Sequence, residues 1–121
     1  MTTMQRRPLL ALTALATLTA PAPASAHAIL MQSTPAHAAR LPAGPQTLTL
    51  RFNSRLDLAR SRLTLLRPDK STEVLALLPG ADDVLAATAT LAPGPHTLRW
   101  QVLALDGHIT RGEVPFAVTA A

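Results

Sequence analysis

After residue 27 the chain runs as short stretches in which apolar and polar positions alternate, broken by Pro, Gly and Asp. "QTLTLRF" (46–52) puts Leu48, Leu50 and Phe52 on one face, the period-2 pattern of a half-buried strand. "SRLTLL" (61–66) repeats it with Leu63 and Leu65. "HTLRWQVLA" (96–104) aligns Leu98, Trp100, Val102 and Ala104, a spacing that assigns Trp100 to core packing. "EVPFAVT" (113–119) points Val114, Phe116 and Val118 inward. Pro115 then faces outward and marks an edge position or a strand start, because proline cannot donate to a ladder. "VLALL" (74–78) and "VLAATATL" (84–91) are weaker strands, alanine being a poor strand former, and "AILMQS" (28–33) adds one more. The segments 41–45, 67–71, 78–83 and 92–95 are turns and loops by composition. About seven closely spaced strands predict an all-β fold, a small antiparallel β-sandwich.

Composition narrows this picture. The chain has 121 residues, enough for one domain. It is 48% apolar but 2% aromatic, with one Trp, two Phe and no Tyr, so leucine and valine must fill the core. Cysteine is absent, which removes disulfides and thiolate metal sites from consideration.

The first 26 residues have a different character. "MTTMQRR" is a short basic region, "PLLALTALATLTA" (8–20) an uncharged apolar run of 13 residues, and "PAPASA" (21–26) ends in Ala24-Ser25-Ala26. That order is the pattern of a secretory signal peptide with an A-x-A cleavage site. The apolar run is short of the ~20 residues a membrane span needs. Residues 1–26 are therefore expected to be removed after Ala26, leaving an exported, periplasmic domain of residues 27–121 that begins at His27. The formal charge of +4 falls to +2 once Arg6 and Arg7 are set aside. So weak and scattered a surplus, with few aromatics to stack on bases, excludes nucleic acid as a partner.

Four histidines occur, at 27, 37, 96 and 108. The informative group is "LDGHIT" (105–110), directly after the strongest predicted strand. Asp106 and His108 are two residues apart and project to one side of extended backbone. An Asp-Gly pair after a strand also occurs for turn geometry alone, so by itself the group supports either reading. An N-terminal His27 changes the comparison. It would offer its α-amine and its ring nitrogen to one metal ion, and that amine has an ordinary pKa of ~7.7–8.0. With the His108 imidazole and the Asp106 carboxylate, the set is three nitrogens and one oxygen. Such a set suits Cu(II), with Zn(II) as the physical competitor. His96, at a strand start behind "APGP", is expected to be a partly exposed structural residue. His37 lies in a loop after Pro35 and is expected at the surface, as the leading candidate for an extra ligand.

These stretches resemble the CopC family of periplasmic copper-binding proteins. The mature start matches "HAIL", an S-x-P-A segment matches "QSTPAHAARLPAGP" (32–45), and an F-S-E-P-V-like stretch corresponds to "LTLRFNSRL" (48–56). The family pattern P-G-T-Y-x-V-x-W-x-V-x-S-x-D-G-H-x-x-x-G is echoed by "PGPHTLRWQVLALDGHITRG" (93–112). The resemblance implies a Greek-key sandwich or barrel of immunoglobulin or cupredoxin type and a histidine-brace Cu(II) site. Carried over, His27 supplies amine and imidazole, His108 the second imidazole and Asp106 the carboxylate. Three departures bear on the chemistry. The family's Glu in F-S-E falls on Ser54, and the Ser two before the D-G-H aspartate is Ala104. Met31 is the one methionine after residue 26, which argues against a thioether Cu(I) site and for a single Cu(II) site.

The reading is a monomeric copper carrier, not an enzyme, that buffers Cu(II) or passes it to a membrane importer of the CopD type and meets the membrane only through such a partner. Two rivals come from other classes. A histidine-brace copper monooxygenase shares the N-terminal histidine, but this domain is short and has no Tyr and few aromatics to grip a glycan. A metal-free immunoglobulin-like interaction module would use D-G-H only as a turn.

Overall fold

The alternation seen in the sequence becomes two facing β-sheets. The structure, a computed structural model, describes residues 28–120. The strands are β1 (Leu30–Thr34), β2 (Arg40–Pro42), β3 (Gly44–Phe52), β4 (Arg62–Leu66), β5 (Thr72–Leu75), β6 (Val84–Leu91), β7 (Gly94–Leu103) and β8 (Ile109–Thr119), with one 3₁₀ turn at Leu58–Arg60. One sheet has the order β1-β3-β6 and the other β2-β8-β7-β4-β5. The chain passes back and forth between them, a Greek-key β-sandwich as expected. Among the described residues no helix is long and apolar enough to cross a membrane.

Leu48, Leu50 and Phe52 of β3 and Leu85, Ala87 and Leu91 of β6 form the inner side of the smaller sheet. Across the gap lie Leu63 and Leu65 of β4, Leu98 and Val102 of β7, and Val114, Phe116 and Val118 of β8, all buried. Each fully buried Leu or Val is worth about 1.5–3 kcal/mol over exposure. Among the described residues four Arg–carboxylate pairs, such as Arg55–Asp82 at 2.8 Å and Arg99–Glu113 at 2.9 Å, involve largely exposed side chains, where water and salt screen the attraction and little stability is gained. The leucine core therefore holds the sandwich together.

The structure corrects four details. Among the described residues there are eight strands where about seven are expected, because β2 lies in a segment whose Pro and Gly content reads as loop. β2 pairs with β8 in parallel, Arg40 opposite Ala117 to Pro42 opposite Thr119, while the other pairs are antiparallel. Its three residues owe their extended form to that partner and not to their own pattern.

Second, Pro115 lies within β8, which is flanked on both sides. It is tolerated because β2 pairs with β8 only from Ala117 onward and because its backbone faces away from β7. The Pro115 carbonyl accepts the Ala38 N–H at 2.7 Å on that far side, so the missing N–H interrupts no bond to β7. Third, β5 is Thr72–Leu75, displaced toward the N-terminus from the expected 74–78. Fourth, His96 is buried, at 3% exposure, instead of partly exposed. The inward phase of Leu98 and Val102 extends back to residue 96, where the imidazole stacks on Phe116 with centroids 5.4 Å apart. Its Nδ1 lies 3.0 Å from the Gly94 carbonyl oxygen.

Trp100 meets the core as expected, edge-on to Phe52 at 5.0 Å between centroids. Its indole lies across Gly112, its partner on β8, where a Cβ would sit 2.3 Å from Trp100 Cζ2. Gly112→Ala must displace a ring wedged against Phe52. Urea unfolding is expected to show a loss of at least about 1–3 kcal/mol, the ordinary cost of overpacking a core.

Candidate metal centre

The β7–β8 pairing ends at Leu103 opposite Ile109, and the chain reverses through residues 104–108. Two backbone bonds close this turn: Gly107 N–H to the Ala104 carbonyl at 2.8 Å and Ala104 N–H to the His108 carbonyl at 2.9 Å. Gly107 has φ +95°, a conformation that residues with a Cβ rarely adopt. The exposed carboxylate of Asp106 accepts the His108 N–H at Oδ1, 3.1 Å away, and the same oxygen lies 3.3 Å from His108 Nδ1. The turn thus brings Asp106 and His108 together, through a tight reversal at Gly107 and not through the extended backbone their spacing suggests, and each has roughly half its side chain exposed.

A second loop, residues 53–57, ties this turn to the start of the described chain. On one side Leu105 N–H donates to the Arg55 carbonyl at 3.1 Å, Asp57 N–H donates to the Leu103 carbonyl at 2.8 Å, and Leu56 bridges Ala104. On the other side Asn53 meets Ile29 twice. Its Oδ1 accepts the Ile29 N–H at 2.7 Å, and its own N–H donates to the Ile29 carbonyl at 3.0 Å. Thr110, two residues beyond His108, donates its hydroxyl to the Ala28 carbonyl at 3.2 Å. Ala28 is buried at 4% exposure between these elements. The first described residue is therefore pinned beside the turn that carries Asp106 and His108. His27 and the expected cleavage site after Ala26 lie outside the described residues.

Among the described residues no three His, Asp or Glu side chains cluster in a way that could hold a metal ion. A metal at Asp106 and His108 would need donors from beyond them. His37 is exposed in the turn before β2, whose Ala38 N–H is bonded to Pro115. Pro115 lies six positions along β8 from Ile109, roughly 20 Å of strand, so the structure does not bring His37 to this end. His96 sits in the core at the far end of β7. Ser54, within the 53–57 loop, brings no carboxylate, and its Oγ is buried without a hydrogen-bond partner among the described residues. Met31 is exposed on β1.

Asn53 and Thr110 do not stand out in the sequence. Their bonds join side chain to backbone across 24 and 82 residues, and no local pattern encodes such contacts. The one available cue is phase. Thr110 lies in the inward row of β8 with Gly112, Val114, Phe116 and Val118, where a hydroxyl needs a specific acceptor.

The structure is thus a two-sheet Greek-key sandwich with a His-bearing turn tied to the residues before its first strand. Residues 30–119 match the CopC domain, and the chain belongs to the CopC family. Protein YobA of Escherichia coli strain K12 is 31% identical over 100 residues, covering 77% of this chain and 79% of that protein. Among solved structures, CopC from Methylosinus trichosporium OB3b aligns with a TM-score of 0.69 at 24% identity, over 78% of this chain and 95% of that one. PcoC, a methionine-rich copper resistance protein from Escherichia coli, aligns with a TM-score of 0.63 at 26% identity, over 78% and 100%.

The turn depends on its glycine. Gly107→Ala meets no neighbour within 4 Å, so its cost comes from the positive φ alone. A loss of about 1–3 kcal/mol in urea unfolding is expected, with backbone NMR shifts confined to residues near 104–110.

Proposed function

We propose that the chain is a periplasmic copper-binding protein that holds one Cu(II) ion as cargo and releases it by ligand exchange, without turnover. Signal peptidase cuts after Ala26, and the working domain is residues 27–121. His27 then gives its α-amine and imidazole, His108 its imidazole and Asp106 its carboxylate. The domain acts as a monomer in copper resistance or homeostasis, buffering the ion or handing it to an inner-membrane importer of the CopD type.

The observation that carries this reading is the fixing of Ala28 beside the Asp106–His108 turn by Thr110, with Ile29 held by Asn53. Consecutive Cα atoms are 3.8 Å apart, so a residue bonded to Ala28 starts within reach of that turn. The donor chemistry agrees. An amine, two imidazoles and a carboxylate make a nitrogen-rich set of the kind Cu(II) prefers in tetragonal geometry. Asp106 Oδ1 is engaged with His108, and ligation through Oδ2 is compatible with that contact. Kinship with the CopC family supports copper as the ion, and PcoC is itself described as a copper resistance protein. PcoC is methionine-rich, whereas here the described residues hold Met31 alone, which favours a nitrogen and oxygen site over a thioether one.

Two proteins test the proposal, one beginning at His27 and one with an extra Met before it. Copper titration followed by EPR is expected to show tight, nitrogen-rich Cu(II) binding by the first and its collapse in the second. Equal binding by both would refute the site. His108→Ala should weaken Cu(II) binding by more than the ~10–100-fold typical of residues that only support a ligand. The mass of the protein recovered from the periplasm should correspond to a chain starting at His27.

A further inference from the structure

We propose that Asn53 and Thr110 are positioning residues for the metal site, a latch that holds residues 28 and 29 so that the donors of His27 stay beside Asp106 and His108. This inference rests on the functional reading above and assigns parts of the molecule that never touch the metal.

Residues 28 and 29 lie before β1, which begins at Leu30 opposite Phe52. The β1–β3 ladder ends there, and a segment beyond the last ladder pair frays unless something ties it down. Asn53 takes over where the ladder stops. Its main-chain N–H and side-chain Oδ1 bond the Ile29 carbonyl and N–H, at 3.0 and 2.7 Å, so a side chain supplies the acceptor that the next strand residue would have provided. Thr110 reaches the segment from the other sheet. Its hydroxyl stands in an inward row otherwise made of Gly112, Val114, Phe116 and Val118, and it donates to the Ala28 carbonyl at 3.2 Å. The latch therefore spans the sandwich, with one grip from the β3 side and one from β8.

The position of Thr110 in the chain matters. It stands at the start of β8, two residues after the turn's His108, so the group that fixes Ala28 is joined by a short stretch of chain to the imidazole proposed to share the metal with His27. Asn53 heads the loop that bonds Leu105 through Arg55. Both grips refer the chain end to the same turn. A ligand set divided between a chain end and a turn binds only when both parts are in place, and apparent affinity falls with the fraction of molecules in which they are. Losing one such bond is expected to weaken binding about 2- to 10-fold.

The test uses the protein beginning at His27, with Thr110→Val, Thr110→Ser, Asn53→Ala and the Thr110→Val/Asn53→Ala double variant. Cu(II) affinity is read by chelator competition, the site by EPR, and docking of the segment by amide exchange at Ile29. Thr110→Val and Asn53→Ala are each expected to weaken Cu(II) binding about 2- to 10-fold, and the double variant more. The single EPR signal should broaden into a mixture, and Ile29 exchange should quicken while the Leu98 amide stays protected. Thr110→Ser, which keeps the hydroxyl, should restore the parent spectrum; a role confined to filling the core would instead be served by valine. Unchanged affinity and spectrum in the double variant, with the parent protein binding normally, would overturn the latch alone. Absence of nitrogen-rich binding by the parent protein would overturn the functional reading and the latch with it. Should Thr110→Val fail to fold, the exposed Asn53→Ala variant decides the question.

Discussion

The inward rows of the central strands of the two sheets have to meet in phase, and the rest of the molecule follows from that constraint. With one Trp and two Phe in the chain, leucine and valine do most of the packing. A slip of one residue in any central strand would exchange its buried and solvent faces. The β7–β8 register is further pinned by Trp100, whose indole occupies the space left by Gly112 and abuts Phe52 of the opposite sheet. That register sets where the two strands part, and so where the chain reverses through Asp106, Gly107 and His108.

The candidate site is an end of this sandwich with a second loop laid across it. Residues 53–57 bond to both neighbours, to the β7–β8 turn through Arg55, Leu56 and Asp57 and to the residues just before β1 through Asn53. Asp106 serves the turn through its bond to the His108 N–H, and the same carboxylate orients the His108 ring. These contacts are what a D-G-H turn requires, and they are compatible with the ligand role proposed for Asp106 and His108, so a turn role does not argue against that proposal.

Much of the fold is legible in the alternation itself. The inward faces of β3, β4 and β8 can be read directly from Leu48, Leu50, Phe52, Leu63, Leu65, Val114, Phe116 and Val118, because a half-buried strand records its burial every second residue. What escapes such reading has no periodicity of its own. β2 is three residues long and takes its conformation from β8. The burial of His96 is in phase with its strand yet contradicts the usual expectation for an imidazole, and its stacking on Phe116 explains how the ring is accommodated.

By itself the sequence determined the class of fold, the family resemblance and the pairing of Asp106 with His108, since each depends on residues close together in the chain. The tertiary structure alone decided which distant groups share an end of the sandwich. It set His37 apart from the turn and buried His96, and it brought Asn53, Thr110 and Ala28 together across separations of 24 and 82 residues. The physical reason is that strand periodicity is local, whereas the meeting of loops at a sandwich end depends on the order and register of strands in both sheets.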